Sequence, residues 1–348
     1  MPSALITDNL ITGYFIKTLI SVTPVIVFLC ALIFMDSYKL VKFRSLLLTI
    51  VSGFLAALIC LFINQTLMKA FRWEYVTYSR YVAPIIEELM KAVYVIYLMR
   101  SKRIGFMVDA GIQGFAVGAG FAIMENIYTL TAIAGANLFV WTIRGFGTAV
   151  MHGGAAALFA IISKSFSERH ESYRAREFLP GLGLAVIFHS LYNHFLVSPF
   201  LSGFILVAGL PLLMILIYQQ SEKALQKWLG VGFDTDAELL EIITRGTLTQ
   251  THVGQYLVSL KDRLPGEVVA DMLCLLRIHL ELSIRAKGIL LMREAGFKVP
   301  PDPEIEKKFE ELNYLQKSVG KTGYLAIMPF LRWSGHDLWQ FHMLGKKR

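Results

Sequence analysis

The sequence predicts an all-α protein. A polytopic membrane helix bundle of about seven spans covers residues 1–218, and a helical soluble domain covers 219–348. Three observations carry this reading. Of 348 residues, 55% are hydrophobic and 17% are charged, with a mean hydropathy of +0.54; a soluble chain carries about 25% charge. The charge is also uneven, because residues 1–218 hold 16 of the 34 Lys and Arg and 10 of the 26 Asp and Glu. Finally, apolar windows near the ~20 residues that cross a bilayer fall near 15–35, 45–64, 82–99, 106–133, 145–163, 180–197 and 200–218.

The first window follows a segment, 1–10, with no Lys or Arg, and it has the length of a span rather than of a signal-peptide core. Lys39, Lys42 and Arg44 follow the first window, Lys69, Arg72 and Arg80 the second, and Arg100, Lys102 and Arg103 the third. The fourth connection has Arg144 at its end, the fifth carries Lys164, Arg169, Arg174 and Arg176, and the sixth has no basic residue. The positive-inside rule then places the N-terminus outside and the C-terminal domain in the cytoplasm, with the second connection as the one discordant count. Gly114, Gly118 and Gly120 in the fourth window, with Gly153 and Gly154 in the fifth, predict close helix approach. Beyond residue 218, short amphipathic helices are expected over 220–229, 234–245, 249–261, 266–295 and 303–318. Gly230-Val231-Gly232, Pro265-Gly266 and Val299-Pro300-Pro301 are the expected breaks. The aromatic tail 324–348, ending Gly345-Lys346-Lys347-Arg348, fits either the inner membrane surface or a docked C-terminus.

Several function classes lack support. Cys30, Cys60 and Cys274 are scattered and form neither a disulfide framework nor a thiolate metal site. His252, His279, His336 and His342 have no ligand spacing. The net charge of +8 reads as topology and contact with anionic lipid. No nucleic-acid partner is expected, since there is no aromatic-basic RNA motif, P-loop or dinucleotide fingerprint.

The apolar windows carry polar residues where hydrocarbon penalises them: Glu87-Glu88 with Lys91, Glu125-Asn126, His152, and His189 with Asn193. An ionisable group at such depth costs several kcal/mol unless it is paired or faces a wet cavity. On the topology above, Glu87-Glu88, Glu125, His152 and His189 all fall roughly 8–12 Å below the outer boundary at the helical rise. Convergent depth points to one polar chamber.

The chemistry that such residues support is hydrolysis, which needs an activated water, a group that takes and returns its proton, and donors for an oxyanion. Adjacent glutamates on a helix diverge by about 100°, so Lys91 can neutralise one of them and leave the other for chemistry. Glu-Glu-Lys satisfying itself is the alternative for that motif alone. His189 and Asn193 share a helix face at i and i+4 and can address one target. Glu125, His152 and His189 make a familiar zinc ligand set, with a second glutamate as base. A metal-free glutamate mechanism stays open.

Taken in order, Glu-Glu-x-x-Lys (87–91), Phe-x-x-x-Glu-Asn (121–126), Met-His-Gly (151–153) and His-x-x-x-Asn (189–193) resemble the PrsW family of intramembrane proteases. That family is similar in turn to the CAAX-type and Abi-type membrane endopeptidases. The Glu-Asn pair favours PrsW, because the CAAX pattern carries a histidine there. The resemblance covers roughly residues 80–197 and says nothing of 219–348. It implies a site-1 type protease that cuts a membrane-anchored regulator, such as an anti-sigma factor, near the outer face of a bacterial inner membrane. Glu87, Glu88, Glu125, Asn126, His152, His189 and Asn193 would then be its catalytic residues, Lys91 its structural partner and zinc its candidate cofactor. Two other classes compete. An ion- or proton-coupled transporter would use the buried groups as a relay, but no inverted repeat or paired interrupted spans are evident. A non-catalytic seven-span scaffold would leave the shared depth unexplained.

Overall fold

In a computed structural model, residues 16, 19, 22–23, 25–34, 36, 40–132, 138–194, 199–300, 302–331 and 335–344 are described. The sequence readings on residues 1–15, on the Arg144, His336 and His342 side chains and on 345–348 lie outside the described residues. Among the described residues the protein is all-helical, with no strand. The chain divides into two compact units, Met1–Ser221 and Glu222–Arg348.

The first unit contains α1 (Val25–Phe34), α2 (Phe43–Phe71), the short α3 (Tyr75–Tyr81), α4 (Ala83–Arg100), α5 (Met107–Ala132), α6 (Leu138–Arg169), α7 (Ala175–Asn193) and the start of α8 (Pro199–Thr244). Among the described residues, three helices are long and apolar enough to cross a membrane by length and composition: Phe43–Phe71, Met107–Thr129 and Gly147–Arg169. α4 and α7 occupy two further predicted windows. Their apolar character is diluted by Glu87, Glu88, Lys91 and Arg100 in one, and by Arg176, Glu177 and the internal Pro180 in the other.

α5 lies between α2 and α6, α7 packs on α6, and α4 contacts α2 and α7. The apolar windows of α5 and α6 are 83% and 78% buried, against 33% for α2. α5 and α6 are therefore inner helices, while α2 turns Leu47, Leu48, Val51, Leu55 and Phe62 outward, as a lipid-facing helix does. Small residues make the inner contact possible. A Cβ at Gly118 of α5 would lie 2.1 Å from the His152 carbonyl oxygen of α6, so only glycine permits this crossing. Asp109 closes the turn before α5 by accepting from the Gly105 and Phe106 amides, each at 2.7 Å.

Two features of this unit depart from the expected organisation. α2 extends to Phe71, past the expected end near 64, and ends at Arg72 in the left-handed conformation (φ 51°). The stretch read as a long basic connection contains α3, whose Tyr78 is buried.

In the second unit, α8 continues through Gly230-Val231-Gly232 to Thr244, correcting the expected break. Helical glycine costs about 1 kcal/mol relative to alanine but does not end a helix by itself. At Gly232 it also makes room, since a Cβ there would meet the Lys287 Nζ at 2.8 Å. Then follow α9 (His252–Ser259), capped by the Thr251 hydroxyl on the Gly254 amide, α10 (Gly266–Glu294) and α11 (Pro303–Ser318), capped by Asp302 on the Glu304 amide. α12 (Gly320–Ile327) and α13 (Gly335–Leu344) come next. The core is built from Leu275, Leu276, Leu282, Phe309, Leu312 and Phe341. Trp339 and Phe341 are buried, so the aromatic tail is docked into its own unit. His279 meets Phe341 edge-on at 4.8 Å, and His252 is exposed.

Candidate active site

Four helices bring the polar residues together. α4 starts on Ala83-Pro84, where proline's missing N–H costs nothing, and one turn later presents Glu87 and Glu88 in different directions. Glu88 is buried, and its Oε1 accepts from Lys91 Nζ at 2.5 Å and from His189 Nδ1 at 2.7 Å. Glu87 turns toward α2, where its Oε1 accepts from Asn64 Nδ2 at 3.1 Å. Its Oε2 stands 3.8 Å from His189 Nε2. Lys91 thus pairs with one glutamate of the two.

His152, from α6, is buried against Phe121, with ring centroids 4.8 Å apart, and meets the His189 ring edge-on at the same distance. Its Nδ1 lies 2.9 Å from Lys91 Nζ, and its Nε2 lies 2.5 Å from Glu125 Oε2. An ammonium only donates, so Nδ1 accepts and Nε2–H is the group that donates to Glu125. At His189 the order is reversed. Glu88 is acceptor-only beside Lys91, so His189 Nδ1 donates and Nε2 keeps its lone pair on the Glu87 side. Glu125 is the open member of the group, with 34% of its side chain accessible.

The amides divide. Asn126 is buried beside Glu125. Asn193 does not converge with His189 on one target: its Nδ2 donates to the Ser79 carbonyl at 2.9 Å, while the Ser190 hydroxyl donates to the Arg80 carbonyl at 2.7 Å. One helical turn separates positions 189 and 193 by about 6 Å along the axis, enough for His189 to reach α4 and Asn193 to reach α3.

A carboxylate oxygen of Glu87 and one ring nitrogen each from His152 and His189 lie within 4.8 Å of one another. This group takes Glu87 where the sequence reading placed Glu125. Donors at 2.0–2.1 Å from a tetrahedral zinc stand about 3.4 Å apart, so closure needs side-chain movements of about 1 Å. Two imidazoles and a carboxylate are the donor set of a catalytic metal site that keeps one position open, and the Glu88–His189 contact is the second-layer bond that such a histidine makes. The residues fit a metal.

Residues 42–218, just over half of the chain, match the family described as PrsW family intramembrane metalloprotease. The chain belongs to the PrsW family. It is accordingly an integral membrane enzyme, a peptidase of a family described as metalloproteases, whose substrate and surroundings are membrane-embedded protein and lipid. No curated protein and no solved structure matches it. The PrsW match takes in every element that contributes to the cluster, from α2 to α7.

Sequence reading missed Asn64 and Tyr78. Asn64 sits in a 29-residue apolar helix with Gln65 beside it, and an amide at that depth was the available signal. Tyr78 offered no signal, because it lies in a stretch that reads as a polar connection.

Proposed function

We propose that this PrsW protein cuts a membrane-anchored regulatory protein, such as an anti-sigma factor, in the site-1 manner. The bond would lie near the outer border of a bacterial inner membrane. In this reading the chain crosses about seven times, residues 1–218 form the protease domain, and residues 219–348 form a cytoplasmic helical domain. The observation that carries the chemistry is the convergence of Glu87, His152 and His189 within 4.8 Å, wrapped by Glu88, Lys91 and Glu125.

Glu87, His152 and His189 would hold zinc. Bound there, zinc would polarise the scissile carbonyl and make water a nucleophile at neutral pH. Both ring nitrogens of His152 are engaged, one by Lys91 and one by Glu125, so a metal held by His152 would replace one of these contacts. Glu125, the most accessible carboxylate of the group, would be the group that takes a proton from water and returns it to the leaving amine. Glu88 fixes the His189 tautomer, and Lys91 balances the charge of Glu88 while it braces His152. Asn193 and Ser190 anchor the end of α7 to the segment before α4, which keeps His189 opposite the glutamates.

The test is cleavage of a co-expressed membrane-anchored substrate, read by mass spectrometry of the released fragment. Glu87→Gln, Glu125→Gln and His189→Ala should each abolish the fragment in protein that still reaches the membrane. Full cleavage by both glutamine variants would remove these carboxylates from the chemistry.

A further inference from the structure

Glu87 is the least constrained of the three candidate metal donors. Its carboxylate sits on a side chain with three rotatable bonds and lies at the edge of the cluster, whereas both histidines are buried rings. Something must choose its rotamer, and the structure shows a two-residue clamp outside the Glu-Glu-x-x-Lys, Phe-x-x-x-Glu-Asn, Met-His-Gly and His-x-x-x-Asn stretches. Asn64 Nδ2 donates to Glu87 Oε1 at 3.1 Å, and Tyr78 Oη donates to Asn64 Oδ1 at 2.8 Å. As a metal donor Glu87 would be ionised and could only accept, which matches an amide that presents its nitrogen to Glu87 and its oxygen to the tyrosine hydroxyl. Tyr78 is itself buried and held in the short helix α3. Through its Ser79 and Arg80 carbonyls α3 also receives the Asn193 and Ser190 side chains of α7, the helix that carries His189. The same small helix is therefore tied to the Glu87 side and to the His189 side of the cluster.

We infer that Asn64, locked by Tyr78, is a positioning residue that ties Glu87 Oε1 to α2 and so presents Oε2 to the metal together with His152 and His189. This rests on the metal-donor role proposed above for Glu87. Outer-layer bonds to metal ligands are commonly worth 10–100-fold in affinity, and Asn64 should fall in that range. Tyr78 acts one bond further out and should matter less.

The experiment is zinc affinity of the full-length purified chain in detergent, measured by competition with a chromophoric chelator. It needs no substrate. Asn64→Leu, close in volume and without hydrogen-bonding groups, should weaken zinc about tenfold or more, and Tyr78→Phe should weaken it several-fold. In a Glu87→Ala background, Asn64→Leu should change the affinity no further. A role confined to holding α2 against α4 would instead weaken zinc equally in both backgrounds, and that result overturns the inference. So does parental affinity in Asn64→Leu or, should that variant fail to fold, in Tyr78→Phe. Parent protein that binds no zinc defeats the zinc reading, and this inference falls with it; a parent that binds while both clamp variants bind equally well defeats this inference alone.

Discussion

Replacing Gly118 by alanine adds one methyl group at the crossing of α5 against the His152 backbone, and its effect can be worked from the structure. The new Cβ would lie 2.1 Å from the His152 carbonyl oxygen and 2.7 Å from the Gly153 Cα. Carbon and oxygen rest at a little over 3 Å, so α5 and α6 must separate locally by about 1 Å. The displaced backbone belongs to His152 itself, and the ring moves relative to Glu125, Lys91 and His189. A 1 Å misplacement of reacting groups costs about 10²-fold in rate, equivalent to about 2.7 kcal/mol of barrier. Gly183→Ala in α7 is the control, since a Cβ there meets nothing within 4 Å. The assay is initial rate of substrate cleavage in membranes, normalised to folded protein. Gly118→Ala should fall to roughly a hundredth of the parental rate while Gly183→Ala retains it. Equal rates for parent and Gly118→Ala would refute the claim that this crossing sets the position of His152.

Three further outcomes are expected, the first from the fold and the other two from the topology and cleavage proposed above. In the second unit, Lys287 Nζ pairs with Asp236 Oδ2 at 2.5 Å, with Ser283 donating to the same oxygen and the Trp228 ring 5.1 Å from the ammonium. Asp236→Ala leaves that ammonium buried without its counter-charge and should destabilise the unit by about 3–5 kcal/mol, read as faster amide exchange in α10 and α13; unchanged exchange would contradict this. With Cys30, Cys60 and Cys274 replaced, single cysteines at Ser3, Ser101 and Ser259 should label with an impermeant reagent in intact cells only at Ser3. The opposite pattern would place the site toward the inner leaflet. Because a transmembrane helix hides its peptide bonds in internal hydrogen bonds, leucines placed at the outer end of the substrate span should slow cleavage, and helix-breaking residues there should speed it. Insensitivity to both would indicate entry of a flexible juxtamembrane loop.

The polar members of the cluster were legible in the sequence because hydrocarbon makes each of them costly. Glu87, Glu88, Lys91, Glu125, His152 and His189 stand out against apolar windows whatever their partners. What one-dimensional reading lacked was rotation about each helix axis. It could pair Lys91 with one glutamate, but not say that Glu88 takes both Lys91 and His189 while Glu87 joins the histidines. The same limit explains Asn193, which shares a face with His189 yet lies far enough along α7 to reach α3. Asn64 shows a different limit: a single amide in an apolar helix is a weak signal until its partner is known. α3 was hidden because its seven residues, Tyr75–Tyr81, are too few to show helical periodicity. In the second unit, Gly230 and Gly232 looked like a break because glycine's low helix propensity was weighed without the Lys287 side chain that fills the space beside it.

Metal content of the purified protein tests the central assignment most directly. Elemental analysis of the full chain, beside His152→Ala, His189→Ala and Glu87→Ala variants that retain helical content, reads ligation without any substrate. If Glu87, His152 and His189 hold zinc, the parent carries about one zinc per chain, as a mononuclear catalytic site does, and each variant loses most of it. Parental zinc in both histidine variants, or none in an active parent, would contradict the metal centre assigned to these three side chains.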